Sequence, residues 1–159
     1  MLFQIMNKFP LLFVISLIFA VPSFAQFEKI IHQSFETYEI ENLEINVNGE
    51  YEVESWAGNV ILTETKVQLY DASPSIFNFY LEKERYNLTS NQTDANVTIT
   101  SVDMVRKPIR TKKGECYEFV KIRVFIPEDY VKVGEHKWRF DTGEELPPVA
   151  VKGNDDSGN

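Results

Sequence analysis

Between Leu43 and Tyr70 the chain alternates apolar and polar residues almost without a break, LEINVNGEYEVESWAGNVILTETKVQLY. Leu43, Ile45 and Val47 fall on one parity, Glu44 and Asn46 on the other. Beyond Asn48-Gly49, Tyr51, Val53 and Ser55 share a side against Glu50, Glu52, Glu54 and Trp56, and Ile61, Thr63, Thr65, Val67 and Leu69 then share a face of a longer run. A period of two with one apolar side describes strands of an antiparallel sheet, one face on a core and one in water. The stretch predicts a meander. Asn48-Gly49 tolerates the positive φ angles of a two-residue hairpin turn, Ala57-Gly58-Asn59 makes a second tight turn, and Val60 to Tyr70 is a third strand. The glutamates on the wet face oppose edge-to-edge association. Trp56 stands on the polar parity beside a turn, placed either to cap the sheet end or to reach round to the core.

The flanking segments extend the β pattern. Residues 26–33 carry no firm signal; Phe35 to Glu41 alternates loosely, with Tyr38 and Ile40 expected to face inward. Ser73-Pro74 joins a good N-cap to a good first helical residue. A helix over about residues 74–84 follows, although Phe77, Phe79 and Leu81 also suit a strand. Tyr86 to Ser90 and Asn96 to Val102 read as a hairpin linked by residues 91–95, with Val97 and Ile99 inward. Residues 103–115 read as a polar loop. In the strand Cys116 to Ile126, Cys116, Val120, Ile122, Val124 and Ile126 share one face, interrupted by Glu118. Tyr117, Phe119 and Phe125 share the other with Lys121 and Arg123. Pro127 stops this strand, and Val131 to Val133 and Trp138 to Phe140 add short pieces. The expected fold is mainly β: an antiparallel sheet or sandwich-like domain over residues 26–140 with one short helix. Residues 141–159, polar and rich in Gly and Pro, read as a disordered acidic tail.

The N-terminus has a different character. Leu11 to Val21 is apolar apart from Ser16, Lys8 precedes it, and Ser23-Phe24-Ala25 places small residues before a cut at Ala25/Gln26. This is the tripartite pattern of a secretory signal peptide over residues 1–25, with Met6 a second possible start. The rival reading is an uncleaved anchor, for which the run is short. No cysteine follows it to carry a lipid, and no second apolar run provides a stable membrane span after cleavage. The product is expected in the periplasm or outside the cell. The formal net charge of −8 argues against general nucleic-acid binding, which requires a basic face. A single cysteine excludes an intramolecular disulfide, so the core must stand on packing alone.

Candidate sites are few, and each has a plain structural counterpart. Cys116 with His32 or His136 has the residue types of a thiol nucleophile and base, but its parity with four aliphatic residues describes an inert buried thiol. The glutamates at 44, 50, 52 and 54 diverge along a strand instead of converging on one calcium ion. Two distant histidines make no zinc motif. No cofactor is expected. Arg106, Lys107, Arg110, Lys112 and Lys113 place five cations within eight positions of an acidic chain, either a solvated loop or a contact for an anionic polymer or an envelope protein. Trp56 and Tyr51 are candidates for an aromatic binding platform. Asn87, Asn91 and Asn96 each begin an N-x-Thr sequon, significant only in a host that glycosylates them.

The residues Ile45, Val47, Gly49, Val53, Trp56, Gly58, Val60 and Leu62, together with the later strand running Val124 to Pro127 into Ile-Pro, resemble a bacterial family of exported adhesin-like domains of unknown function, common in Bacteroidetes-type organisms. The resemblance covers about residues 35–130 and implies its leading β portion. Many members continue into stacked short strands, whereas this chain turns polar after Phe140, so no β-solenoid extension is expected. The family supplies no catalytic residues. The expectation is a non-enzymatic exported β-domain with a structural or interaction role in the cell envelope. The alternatives are a glycan- or ligand-binding module using surface aromatics and, more remotely, a Cys116-dependent hydrolase.

Overall fold

Alternation requires each strand to find a core for one face, and the chain meets that need with two sheets. In the computed structural model, which describes residues 26–143, the strands are β1 (Gln26–Glu36), β2 (Asn42–Asn46), β3 (Tyr51–Trp56), β4 (Val60–Tyr70), β5 (Leu88–Thr93), β6 (Asn96–Ser101), β7 (Ile109–Thr111), β8 (Gly114–Pro127), β9 (Tyr130–Gly134) and β10 (Lys137–Phe140). One helix, α1 (Pro74–Glu82), lies between β4 and β5. The first sheet has the order β1-β4-β8-β3 with β7 added to β8; the second has β5-β6-β2-β10-β9. The described residues are thus mainly β with one short helix, as the sequence predicts.

Both sheets contribute to one apolar cluster. Leu43 and Ile45 of β2, Val97 and Ile99 of β6 and Trp138 of β10 meet Ile61 of β4 and Ile122, Val124 and Ile126 of β8. This is face-to-face packing of alternating inner residues. A second cluster gathers Val67, Leu69, Tyr86, Ile109 and Cys116 beneath Phe77 of α1, and Phe27 stacks on Phe77 with ring centroids 5.7 Å apart. Ser73 caps the helix by accepting from the Ile76 N–H, with Pro74 in the first turn.

The pairing departs from the expected meander. Asn48-Gly49 does not close a hairpin: β2 pairs parallel with β6, β3 pairs parallel with β8, and the two strands lie in different sheets. Gly49 does take positive φ, +114°, but in a crossover. The Asn48 N–H donates to Ser101 Oγ at 2.9 Å, and Asn48 Nδ2 donates to the Asp103 carbonyl at 3.2 Å. Contacts far along the chain hold this turn, so local turn chemistry does not choose its partner. Nor does β3 pair with β4, since β8 lies between them, and the sheets are mixed instead of wholly antiparallel. Residues 26–33, with no firm signal, form most of β1 in full register with β4. Glu39 takes φ +60°, which breaks the loose alternation; Ile40 is buried as expected, but Tyr38 is 78% exposed. The polar loop 103–115 contains β7, which turns at Lys112-Lys113 into β8.

Other expectations about the strands hold in whole or in part. Ile61, Thr63, Thr65, Val67 and Leu69 are all buried. β5 and β6 form a hairpin as predicted, but Asn91, Gln92 and Thr93, expected in the link, are paired strand residues, and the turn is Asp94-Ala95 with Asp94 at φ +51°, a conformation Asp tolerates. The short pieces near 131 and 138 are β9 and β10, paired with each other. The signal segment 1–25 and the tail beyond residue 143 lie outside the described residues. No helix among the described residues is long and apolar enough to cross a membrane.

Candidate functional site

The strand β8 organises the surface as well as the core. Its inner parity feeds both apolar clusters, and its outer parity carries Tyr117, Phe119, Lys121, Arg123 and Phe125. Register sets their neighbours. Tyr117 sits across from Tyr70, Lys121 across from Lys66 and Arg123 across from Glu64. Toward Pro127 this outer face is an ion-pair ladder: Lys121 to Glu52 at 2.9 Å, Arg123 to Glu54 at 2.8 Å and to Glu64 at 3.5 Å. Arg123 also lies over the Phe125 ring at 4.8 Å. Toward Gly114 the same face turns aromatic. Tyr117 is 62% and Phe119 58% exposed on a central strand, and Tyr70 meets Phe119 edge-on at 5.7 Å.

The basic cluster of the sequence divides in two. Lys107, Arg110, Lys112 and Lys113 are exposed, and Lys112 and Lys113 line a surface depression with Tyr117, Thr111 and Ser73. Arg110 reaches Glu115 at 3.6 Å. Arg106 does not belong with them. Its guanidinium lies inside the fold, 3.5 Å from Glu118, and donates to the Asn48 carbonyl at 2.6 Å. Glu118, the residue that interrupts the apolar parity of β8, also receives Arg85 at 3.0 Å and the Tyr86 hydroxyl at 2.9 Å. Arg85 further bonds Asp103 and the Lys107 carbonyl and packs over the Tyr80 ring at 4.9 Å. Two guanidiniums facing two carboxylates leave the cluster neutral and well hydrogen-bonded, as a buried ionic group requires. Burial pulls Arg106 below its ordinary value. Burial pulls Arg85 the same way, but the hydrogen bond and charge of Glu118 outweigh it and raise Arg85 overall. Burial pushes the Tyr86 phenol strongly upward, and the neighbouring Glu118 charge adds to this. The cluster ties the end of α1, the loop before β7, β8 and the β2–β3 crossover together.

Trp56 and Tyr51 do not form one platform. They occupy opposite parities of β3. The indole of Trp56 folds over Gly58, and its Nε1 donates to the Val60 carbonyl at 3.0 Å, so it caps the sheet end, the first of the two roles its parity allowed. Tyr51 packs against the inter-sheet cluster, and its hydroxyl lies 2.6 Å from His136 Nδ1. Tyr51 and His136 border a groove of about 750 Å³ shared with Glu52, Lys66, Phe119 and Lys121, and Trp56 does not line it.

Cys116 is buried beneath the helix, its Sγ directed at the Asp71 carbonyl at 3.3 Å, and burial raises its pKa, with Asp71 and Glu115 adding to the effect. His136 is engaged with Tyr51, and His32 sits opposite Glu64 on β1. Neither histidine reaches the thiol, and a raised pKa lowers the thiolate fraction a nucleophile needs. Among the described residues no group of three or more His, Cys, Asp or Glu converges as metal ligands.

Three features escaped the sequence reading. The outward parity of Tyr117 and Phe119 was legible, but nothing local says which face of a two-sided strand is left uncovered. Met104 and Val105, read as part of a polar loop, are 42% and 75% exposed. The ionic cluster had one signal, Glu118 on an otherwise apolar parity. No protein-family model matches the chain, and neither a curated protein nor a solved structure matches it.

Proposed function

We propose that this is an exported, non-enzymatic β-domain with an interaction role in a bacterial cell envelope. The signal-like segment before Gln26 and the resemblance to adhesin-like exported domains support export. The observation that carries the interaction role is the pair Tyr117 and Phe119, more than half exposed on a central strand and bordered by the basic β7–β8 turn. Large apolar surfaces of this kind on a soluble domain mark contact sites. The test is fractionation of a host expressing the full chain, with N-terminal sequencing. The mature protein should begin at Gln26 and sit in the envelope or medium, and Tyr117→Ser with Phe119→Ser should release it from whatever retains it. An unprocessed cytoplasmic product would sink the reading.

A second reading, a glycan-binding module, draws on the same face. Tyr117 and Phe119 are two positions apart on one strand, roughly 7 Å, a spacing that suits stacking against a sugar ring. Tyrosine fluorescence titrated with a panel of soluble polysaccharides tests it, and no change with any of them rejects it.

A further inference from the structure

We propose that the β7–β8 end of the domain docks on an anionic lipid surface, an inference that rests on the exported reading above and names its partner. Three observations meet at this end. The first is charge. Residues 107–115 hold Lys107, Arg110, Lys112 and Lys113 against Glu115 alone, in a chain of net charge −8. All four cations are exposed. Carboxylates also border this end: exposed Asp71, Glu82, Glu84 and Glu28, the last paired with Lys66 at 3.1 Å, and half-buried Asp103. The two cations adjacent in sequence, Lys112 and Lys113, stand at the turn itself. Clusters of four or more cations beside a membrane are drawn to anionic headgroups.

The second is apolar exposure. Val102, Met104, Val105, Tyr117, Phe119 and Phe79 are all exposed large apolar side chains, and each belongs to the loop leading into β7, the start of β8 or the adjoining helix. Phe79 shares a surface depression with Arg110, as Tyr117 does with Lys112 and Lys113. A soluble polyanion is held by cations alone. Apolar side chains interleaved with cations, and tyrosine at the boundary, are the composition of a membrane-interface contact.

The third is where the chain enters the fold. Gln26 pairs with Tyr70, and Tyr70 pairs with Tyr117. The expected cleavage point before Gln26 therefore lies at the same end as the basic turn. The C-terminal side departs from the other end. Asp141 bonds Asp129 just beyond Pro127, and the 14 residues of β8 separate that point from the basic turn, roughly 45 Å along the strand. The acidic residues that follow Gly143 thus start at the far end from the cations.

The experiment is co-sedimentation of the protein, recovered after expression of the full chain and with its N-terminus sequenced, with two vesicle types. One is phosphatidylcholine alone and the other phosphatidylcholine with a quarter phosphatidylglycerol. The protein should pellet with the anionic vesicles and not with the neutral ones, and added salt should release it. Lys107→Glu, Arg110→Glu, Lys112→Glu and Lys113→Glu together should lower partitioning roughly tenfold or more. Met104→Ser with Val105→Ser should lower it roughly threefold or more with the charges intact. An unchanged melting temperature shows that each variant is folded. No binding to anionic vesicles at low salt overturns the proposal, as does binding indifferent to the four charge reversals. If dextran sulfate binds as tightly as the vesicles and Met104→Ser with Val105→Ser changes neither, the partner is a polyanion and the proposal also fails. Every comparison is made between proteins with the same sequenced N-terminus, so any contribution of residues 1–25 cancels and a failure here stands apart from a failure of the exported reading.

Discussion

Gly58 lies under the indole of Trp56, and a Cβ there would overlap the ring carbons. Gly58→Ala must therefore lift Trp56 off the turn and strain its bond to the Val60 carbonyl. The expected cost is about 1–3 kcal/mol, read as a lower melting temperature with a shift in tryptophan emission. Thr65 predicts the opposite sign. It is fully buried on the inner face of β4, and its hydroxyl has no hydrogen-bond partner. An orphaned hydroxyl in an apolar setting is unfavourable, and valine has nearly its shape. Thr65→Val should leave stability unchanged or raise it by about 1 kcal/mol, measurable by urea denaturation. At both positions the residue type was visible in the chain while its consequence was not. Gly58 reads as an ordinary turn glycine and Thr65 as an ordinary strand threonine until the neighbouring ring and the missing partner are seen.

The elements around Glu118 are held by charge as much as by packing. Glu118→Ala leaves Arg85 and Arg106 facing each other with only Asp103 between them, and should cost about 3 kcal/mol. In a double-mutant cycle with Arg85→Ala the two losses should be far from additive; additivity in a denaturation series would mean that the pair is not coupled. Tyr86 makes the same cluster sensitive to alkali. Its folded pKa is raised, chiefly by burial, above the ordinary tyrosine value of about 10. The folded state therefore keeps its proton where the unfolded chain loses it. The stabilisation is full below about pH 10 and is lost as pH rises beyond that. A plot of stability against pH should fall there, and Tyr86→Phe should flatten the fall while costing about 1 kcal/mol at neutral pH through the lost bond to Glu118. Tyr51 and Tyr130, also raised chiefly by burial, account for a remaining slope.

At the scale of the whole fold, residues 26–143 form two mixed sheets in which neighbours in sequence are often not neighbours in space. β2 pairs with β6 and β10, β3 with β8, and β1 and β8 flank β4. Such long-range pairing closes large loops before contacts form, so refolding from denaturant should take milliseconds to seconds; microsecond relaxation in stopped-flow or temperature-jump experiments would contradict the topology. By itself the sequence determined most of the strands, though not β1 or β7, together with the capped helix and the inward parity of β4, β6 and β8, because these follow from local periodicity and local stereochemistry. Only the tertiary structure decided which strands pair, that Asn48-Gly49 serves a crossover, that Arg106 leaves the basic cluster for the interior, and that Tyr117 and Phe119 stay uncovered. Those outcomes depend on which distant face arrives to bury a residue. A period-two pattern states that each strand has an inside without saying what it will meet there.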